Sequence, residues 1–288
     1  MKHFCLVVNR EKENAGRAAS LIEEYLIGRG CECLRLDQDG RAKKKEVDVR
    51  YRYTDRRTVP PETECVICLG GDGTLIRAAR DLAGCGLPLF GINMGHLGYL
   101  TQIGREEDIL PAMEDLIAGH FRLEYRMMLR GRVFSEGRTV AEDVALNDIV
   151  LSRRGMDALR FDLFVNGQHF NEYSADGVIV ATPTGSTAYN LSAGGPIAAP
   201  EAQLILLTPI CAHTLNARSI VLAPDNPIRL AVGAQEKNGA SLSFDGDTIV
   251  QLSPGDFIEI ERSRLRTELI QLKQMPFLEN IRNKMRQI

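Results

Sequence analysis

Cys65-Val66-Ile67-Cys68-Leu69-Gly70-Gly71-Asp72-Gly73-Thr74 is the stretch on which the fold turns. An apolar run of this length, bounded by glycines, suits a short strand buried on both faces. After the glycine turn, Leu75, Ala78, Ala79, Leu82 and Ala83 recur at helical spacing and predict the buried face of a helix. Outward from this strand-turn-helix the same alternation continues. His3 to Val8 is an apolar run, followed by Ala18, Leu21, Ile22, Tyr25 and Leu26 on a helix that ends at Gly28 and Gly30. Pro88 to Asn93 predicts a further strand and Glu106 to Ala118 a further helix, with Pro111 in its early turns. Strands alternating with helices imply a parallel sheet with helices packed on it.

The pattern changes after about Phe121. Met127 to Phe134, Val144 to Ser152, Arg160 to Phe170 and Gly177 to Thr182 are strand-like and separated by short turns. Asn166-Gly167 between apolar residues is a two-residue hairpin signal, because both central residues need positive φ. Leu204 to Leu207, Ile228 to Val232, Ser241 to Phe244, Phe257 to Ile260 and Glu268 to Leu272 predict more strands. Phe277 to Met285 reads as an amphipathic helix with Phe277, Leu278, Ile281 and Met285 on one side, returning to the first domain. The predicted organisation is an α/β domain over residues 1–121, joined by 273–288, and a β-rich domain over 122–272.

Composition narrows the function. The 288 residues include 44% hydrophobic side chains and carry a formal net charge of −3, which argues against a nucleic-acid-coating protein. The polar, Arg- and Lys-rich stretch from Asp37 to Glu64 has no interleaved aromatic platform and reads as a solvated or mobile loop. No apolar run is long enough to span a bilayer and the first residues lack a signal-peptide pattern, so a cytoplasmic protein without a membrane partner is predicted. Seven scattered cysteines are predicted to be reduced thiols. Cys65 and Cys68 form a C-x-x-C, but inside an apolar strand and with no second ligand pair they read as small hydrophobes.

Three segments carry chemistry. Gly70 to Thr74 joins a strand to a helix N-terminus, where the backbone approaches an anion and free N–H groups meet it. It matches neither the P-loop nor the dinucleotide fingerprint. Asp72 beside a polyphosphate is repulsive unless it meets a metal or accepts a hydroxyl proton, so the turn reads either as phosphoryl-transfer machinery or as a tight turn with a capping Asp. Asp176 to Pro196 is a strand opening into a loop dense in hydroxyls and glycines, then a short helix. Uncharged donors of this kind suit sugar hydroxyls and an adenine edge, though ordinary turns use the same residues. Asn147-Asp148, inside an apolar strand, places at least one polar side chain where burial demands a partner, unless the strand is an exposed edge. His213 and the turn Phe244-Asp245-Gly246-Asp247 are further polar candidates whose plainer readings are a satisfied histidine and a hairpin turn.

Taken together, the glycine-aspartate turn, Asn147-Asp148 and the hydroxyl-rich segment resemble the NAD kinase family in order and spacing. The resemblance runs from Met1 through the last helix and is weakest from about Asp37 to Glu64. Gly70 to Thr74 alone is shared with lipid kinases and phosphofructokinases; Asp176 to Pro196 is more specific. The resemblance implies a Rossmann-like N-terminal domain and a β-sandwich-like C-terminal domain. It implies transfer of the γ-phosphoryl group of ATP, with Mg²⁺ or another divalent metal, to the 2′-hydroxyl of the adenosine ribose of NAD. Asp72 then matches the general base, with Gly73 against the dinucleotide. Gly70, Gly71, Thr74 and Arg77 match ATP-phosphate contacts. Asn147 and Asp148 match the pair on the adenosine half, and Asp176 an acidic residue near the nicotinamide end. Thr184, Thr187, Ala188, Tyr189, Asn190, Leu191 and Ser192 match further dinucleotide contacts. Ser174 and Asp247 stand at NAD-facing positions where many relatives carry Arg or Lys and Gln. A homodimer or homotetramer is implied as well. The rival readings are a lipid kinase, disfavoured by the polar segment at Thr184 to Ser192, and a non-catalytic dinucleotide sensor, which has no use for Asp72.

Overall fold

The computed structural model describes residues 1–38, 53–94, 98–213, 217–272 and 277–285. The described residues fall into two compact units, divided at Arg126/Met127 and at Leu265/Arg266. Of the stretch Asp37 to Glu64, expected as a loop, residues 39–52 lie outside the described residues; Asp37 and Gln38 instead end a strand and Arg56–Thr58 form a short 3-10 turn.

The first unit runs β1 (His3–Asn9), α1 (Ala15–Gly28), β2 (Glu32–Gln38), β3 (Cys65–Gly70), α2 (Asp72–Asp81), β4 (Leu89–Asn93) and α3 (Ile109–Ala118). Its strands lie in the order β2-β1-β3-β4, all parallel. Ile22 and Leu26 of α1 and Met113 and Leu116 of α3 share one core with Phe4, Leu6, Ile67, Leu69, Phe90 and Ile92. Gly91, between Phe90 and Ile92, instead faces Leu75 of α2, since a Cβ there would lie 2.7 Å from the Leu75 side chain. Helices on both faces explain why Phe4 to Val8 of β1 and Cys65 to Leu69 of β3 are continuous apolar runs. β2 is the edge strand and mixes Glu32, Arg35, Asp37 and Gln38 with its apolar residues, so no continuous apolar run marks it. Helix α2 ends at Asp81, and Ala83, expected on its buried face, lies beyond it half-buried. Gly84 and Gly86, both at positive φ, turn the chain away there. Pro111 sits in the first turn of α3, where a missing N–H costs nothing.

The second unit continues with β5 (Arg122–Ser135), β6 (Arg138–Ala145), β7 (Asp148–Arg153), β8 (Leu159–Val165), β9 (Gln168–Ala175), β10 (Gly177–Ala181), α4 (Tyr189–Ser192), β11 (Ile205–Ile210), β12 (Ile220–Leu222), β13 (Ile228–Val232), β14 (Ala240–Phe244), β15 (Thr248–Leu252) and β16 (Phe257–Gln271). One layer places β9, β8, β13 and β16 side by side, with β5 on β16 and β6 on β5; the other runs β12-β11-β10-β7-β14-β15, antiparallel throughout. Leu129, Phe161, Leu163, Leu230 and Ile258 of the first layer and Ile149, Leu151, Val178, Leu207, Leu242 and Phe244 of the second share one core. This is a β-sandwich, as expected.

Three expectations need correction. Val144 to Ser152 is not one strand: the ladder breaks at Leu146-Asn147 between β6 and β7. Phe257 to Ile260 and Glu268 to Gln271 belong to one strand of 15 residues, and Leu272 lies just past its end. Its middle, Glu261 to Leu265, is half-buried or exposed, so the alternation that marks a half-buried strand fades there. The last helix, α5 (Phe277–Met285), belongs to the first unit, but Leu278 is 75% exposed and Phe277 half-buried, so the expected apolar side is not one buried stripe. The Met285 side chain lies outside the described residues. Leu269, near the end of β16, pairs in parallel with Leu89 of β4.

Candidate functional site

In the first unit the turn from β3 to α2 is built so tightly that only glycine fits its start. A Cβ on Gly70 would lie 2.1 Å from Thr74 Oγ1. Thr74 is buried beneath the turn and its hydroxyl accepts from Asn9 Nδ2 at 3.2 Å. Gly71 caps α2 in extended conformation, and Gly73 is exposed with open space above its Cα. The helix N-terminus thus offers backbone N–H groups and a positive dipole end at an uncovered surface.

Asp72, in the first turn of α2, holds the segment after β4. Its Oδ2 accepts the Tyr99 N–H at 2.5 Å; its Oδ1 accepts the N–H groups of Leu100 and Thr101 and the Thr101 hydroxyl, each at 3.1 Å. Thr101 Oγ1 in turn accepts from Asn93 Nδ2 at 3.0 Å. A Cβ on Gly98 would lie 1.8 Å from Asp72 Oδ1, so that residue must be glycine for the loop to close on the carboxylate. A carboxylate oxygen has about two lone-pair sites. Oδ1 is therefore filled, and Oδ2 keeps room for one more donor. Arg77, expected on phosphates, lies with its guanidinium 4.2 Å from the centre of the Tyr53 ring. Tyr53 is itself tied to α2, since Asp81 Oδ2 accepts the N–H groups of Tyr53 and Thr54 at 2.7 Å each.

In the second unit the break between β6 and β7 is a fixed tripeptide. Asp245 Oδ2 accepts the Leu146 N–H at 2.8 Å, and Oδ1 accepts those of Asn147 and Asp148 at 2.8 and 3.0 Å. Asp245 N–H returns to the Asp148 carbonyl at 2.9 Å. Thr182 takes the other two carbonyls, donating its hydroxyl to Leu146 O at 2.6 Å and its N–H to Asn147 O at 2.8 Å. All backbone polar groups of 146–148 are thereby engaged, whereas Asn147 Oδ1 is buried with no hydrogen-bond partner. A buried amide oxygen left open this way costs about 1–3 kcal/mol unless a donor arrives. Asp148 is buried, and that burial, together with the Asp245 carboxylate, pushes its carboxyl up to about 7.

The hydroxyl-rich segment packs directly on this tripeptide. Thr184 to Thr187 form a single 3-10 turn followed by α4. Gly185 is pressed against Asn147: a Cβ would lie 2.1 Å from the Asn147 carbonyl oxygen. Gly185→Ala is accordingly expected to cost about 1–3 kcal/mol, as overpacking does where backbone must yield; a urea unfolding midpoint equal to that of the unmodified chain would refute this. Tyr189 and Ser192 are exposed, Thr187, Ala188 and Leu191 half-buried, and Thr184 buried. Asn190 is fully buried with its amide spent inside the loop: Nδ2 donates to Ser186 O and Pro196 O at 3.2 and 2.9 Å, and Oδ1 accepts the Thr208 hydroxyl at 2.7 Å. Its side chain shapes the loop.

Asp176 lies between β9 and β10, and Ser174 lies in β9. Arg153 Nε meets Asp176 Oδ1 at 2.8 Å, so a cation does stand beside this acidic residue. Ser174 O accepts the His213 N–H at 2.9 Å, and His213 is exposed. Asp247 closes the β14–β15 hairpin, donating its N–H to Phe244 O at 3.0 Å across Asp245 and Gly246, both at positive φ. Within the same turn, Asp245 is the residue whose carboxylate reaches the backbone of 146–148.

Among the described residues no group of three or more His, Cys, Asp or Glu side chains stands close enough to hold a metal ion. All seven cysteines are free, and burial pushes the Cys65 and Cys68 thiols well up, as befits inert strand hydrophobes. No helix of the described residues is long and apolar enough to cross a membrane.

Comparison with known proteins adds to this geometry. The ATP-NAD kinase N-terminal domain matches residues 4–121, and the ATP-NAD kinase C-terminal domain matches residues 146–272. An NAD kinase of Lachnospira eligens is 41% identical over 299 residues, covering 99% of this chain and 100% of that one. An NAD kinase of Agathobacter rectalis is 40% identical over 289 residues, covering 99% of both. Among solved structures, an NAD kinase from Archaeoglobus fulgidus in complex with ATP superposes with a TM-score of 0.76 at 25% identity, over 99% of each chain. Yeast NADH kinase complexed with NADH shares the fold, with a TM-score of 0.83 at 23% identity over 100% of this chain and 88% of that one.

Proposed function

This chain belongs to the ATP-NAD kinase family, and from that membership we infer how its own residues carry the reaction. It is an NAD kinase: the γ-phosphoryl group of ATP passes to the 2′-hydroxyl of the adenosine ribose of NAD, giving NADP and ADP. Phosphoryl transfer of this kind asks for in-line placement and charge stabilisation more than for covalent chemistry. The 2′-oxygen forms its bond to the γ-phosphorus as the bond to the β,γ-bridging oxygen breaks, ADP leaves with that electron pair, and the hydroxyl proton goes to Asp72.

The proton-accepting atom in this reading is Asp72 Oδ2, the carboxylate oxygen with a lone-pair site to spare. Gly73 lies exposed beside it for the dinucleotide, and Gly70, Gly71 and Thr74 form the helix-terminal cradle for ATP phosphates. Arg77 contributes charge near that cradle from its place on α2. Magnesium enters as the counter-ion of ATP, the usual manner for Mg²⁺ with nucleotides. Asn147 and Asp148 receive the adenosine half, Asp148 on ribose hydroxyls. Thr184, Thr187, Ala188, Leu191 and Ser192 line its path, Tyr189 offers an exposed ring for stacking, and Asn190 keeps their loop in shape. Ser174, Asp176 and Asp247 stand for the remaining dinucleotide contacts. Cytoplasmic location and a homodimer or homotetramer belong to the same proposal.

The observation that carries the adenosine assignment is Asn147 Oδ1, a buried side-chain acceptor without a donor beside a tripeptide whose backbone polar groups are all engaged. The exocyclic amino group of adenine supplies such a donor. Incubating the purified chain with ATP, Mg²⁺ and NAD is expected to yield NADP. Tight NAD binding without NADP would make the chain a dinucleotide sensor instead.

A further inference from the structure

We propose that Asp245 is a positioning residue for the dinucleotide, fixing Asn147 and Asp148 through their backbone from a hairpin nearly a hundred residues away in sequence. The proposal rests on the assignment of Asn147 and Asp148 to the adenosine half of NAD. Of the backbone groups of 146–148, Asp245 binds the three N–H groups and one carbonyl. Such a cluster of N–H groups at a strand break has no ladder partner and needs an acceptor. Only a carboxylate offers enough lone pairs in so small a side chain. The hairpin supplies the aim: Asp245 occupies a positive-φ turn position, φ 49°, which Asp and Asn tolerate and larger or β-branched residues do not.

The consequence is preorganisation. Asn147 keeps its open Oδ1, and Asp148 its buried carboxyl, because the peptide planes between them cannot rotate. Binding groups held this way reach the ligand without an ordering cost at the moment of binding. Asp245 itself acts through the tripeptide, and its removal is felt where Asn147 and Asp148 are felt.

Asp245→Asn keeps the turn conformation but leaves one acceptor oxygen for three N–H groups and turns an NH₂ toward them. The expected result is an NAD KM raised about tenfold or more, with the ATP KM and kcat changed by less than about threefold. Asn147→Ala is expected to raise the NAD KM as well, and the double variant to be no worse than the more affected single one, because the two act as one unit. A purely structural Asp245 gives instead a lower melting temperature with independent, multiplying effects on KM, and that pattern overturns the proposal. An NAD KM within about twofold of the unmodified enzyme for Asp245→Asn, alongside a raised KM for Asn147→Ala, overturns it while leaving the adenosine assignment intact. If Asn147→Ala also leaves the NAD KM unchanged, the assignment itself falls and takes the proposal with it. Should Asp245→Asn not accumulate as folded protein, Asp245→Glu, which keeps both oxygens and displaces them by one methylene, is judged by the same outcomes.

Discussion

Replacing Asp72 by Asn is expected to lower kcat by about 10² to 10⁴ while the NAD KM stays within a few-fold, the signature of a lost proton acceptor. Its geometry makes the experiment less simple than the bare substitution suggests. The carboxylate also closes the loop at Tyr99 to Thr101, with three of its four hydrogen bonds on Oδ1. An Asn that keeps its oxygen at the Oδ1 position places NH₂ against the Tyr99 N–H, at a cost of about 1–3 kcal/mol. The variant should therefore fold with a lowered melting temperature, and part of any activity loss could come from the loop. Thr101→Val separates the two causes. It removes the hydroxyl that links Asn93 to Asp72 Oδ1 but leaves Oδ2 untouched. A similar drop in melting temperature is expected, with kcat falling by less than about tenfold. Equal kcat losses in the two variants would mean that Asp72 serves the loop and not the proton.

What could be foreseen from the residues followed from how local the signal was. The strand of Cys65 to Leu69 and the helix after it were legible because a continuous apolar run ending in glycine has few other uses. The Asn166-Gly167 hairpin was legible because its turn demands positive φ, and the two residues take 52° and 74°. β2 escaped because an edge strand carries charge on its open side, and β16 was split because its middle residues face water. The candidate site divides the same way. Gly70 to Thr74 was legible as a glycine turn opening a helix, but the four donors that saturate much of Asp72 come from 27 to 29 residues onward. Asp245 looked like any Asp-Gly turn because its partners lie 97 to 99 residues earlier. The full internal satisfaction of Asn190, set by Ser186, Pro196 and Thr208, was equally out of reach of pattern reading.

The pH dependence of stability and of NAD binding should both be traceable to Asp148. Its carboxyl ordinarily ionises near 3.8, and in the fold burial and the Asp245 carboxylate raise this to about 7. Below about pH 3.8 the group is protonated in folded and unfolded chains alike, and its contribution to stability is fully present. Between 3.8 and 7 the folded chain holds a proton that the unfolded chain has released, so stability falls as pH rises, and above 7 the loss is complete. At about 1.4 kcal/mol per tenfold change in proton affinity, the cost of ionising Asp148 is on the order of 4 kcal/mol, less whatever the site relaxes. Asp148→Asn cannot titrate, so its melting temperature should exceed that of the unmodified enzyme by a margin that widens from about pH 5 to pH 8. A margin constant across that range would rule out this origin. NAD acts in the opposite sense. In the proposed binding mode, ribose hydroxyls donating to the carboxylate favour its charged form, so the dinucleotide is expected to displace a proton when it binds at acid pH. If only the ionised form receives the ribose, a group titrating at about 7 makes NAD binding roughly tenfold tighter at pH 8 than at pH 6. In Asp148→Asn binding should be weaker and nearly flat with pH. On the proposed binding mode, the same side chain that lowers the stability of the empty enzyme at neutral pH supplies the charge for the ribose hydroxyls.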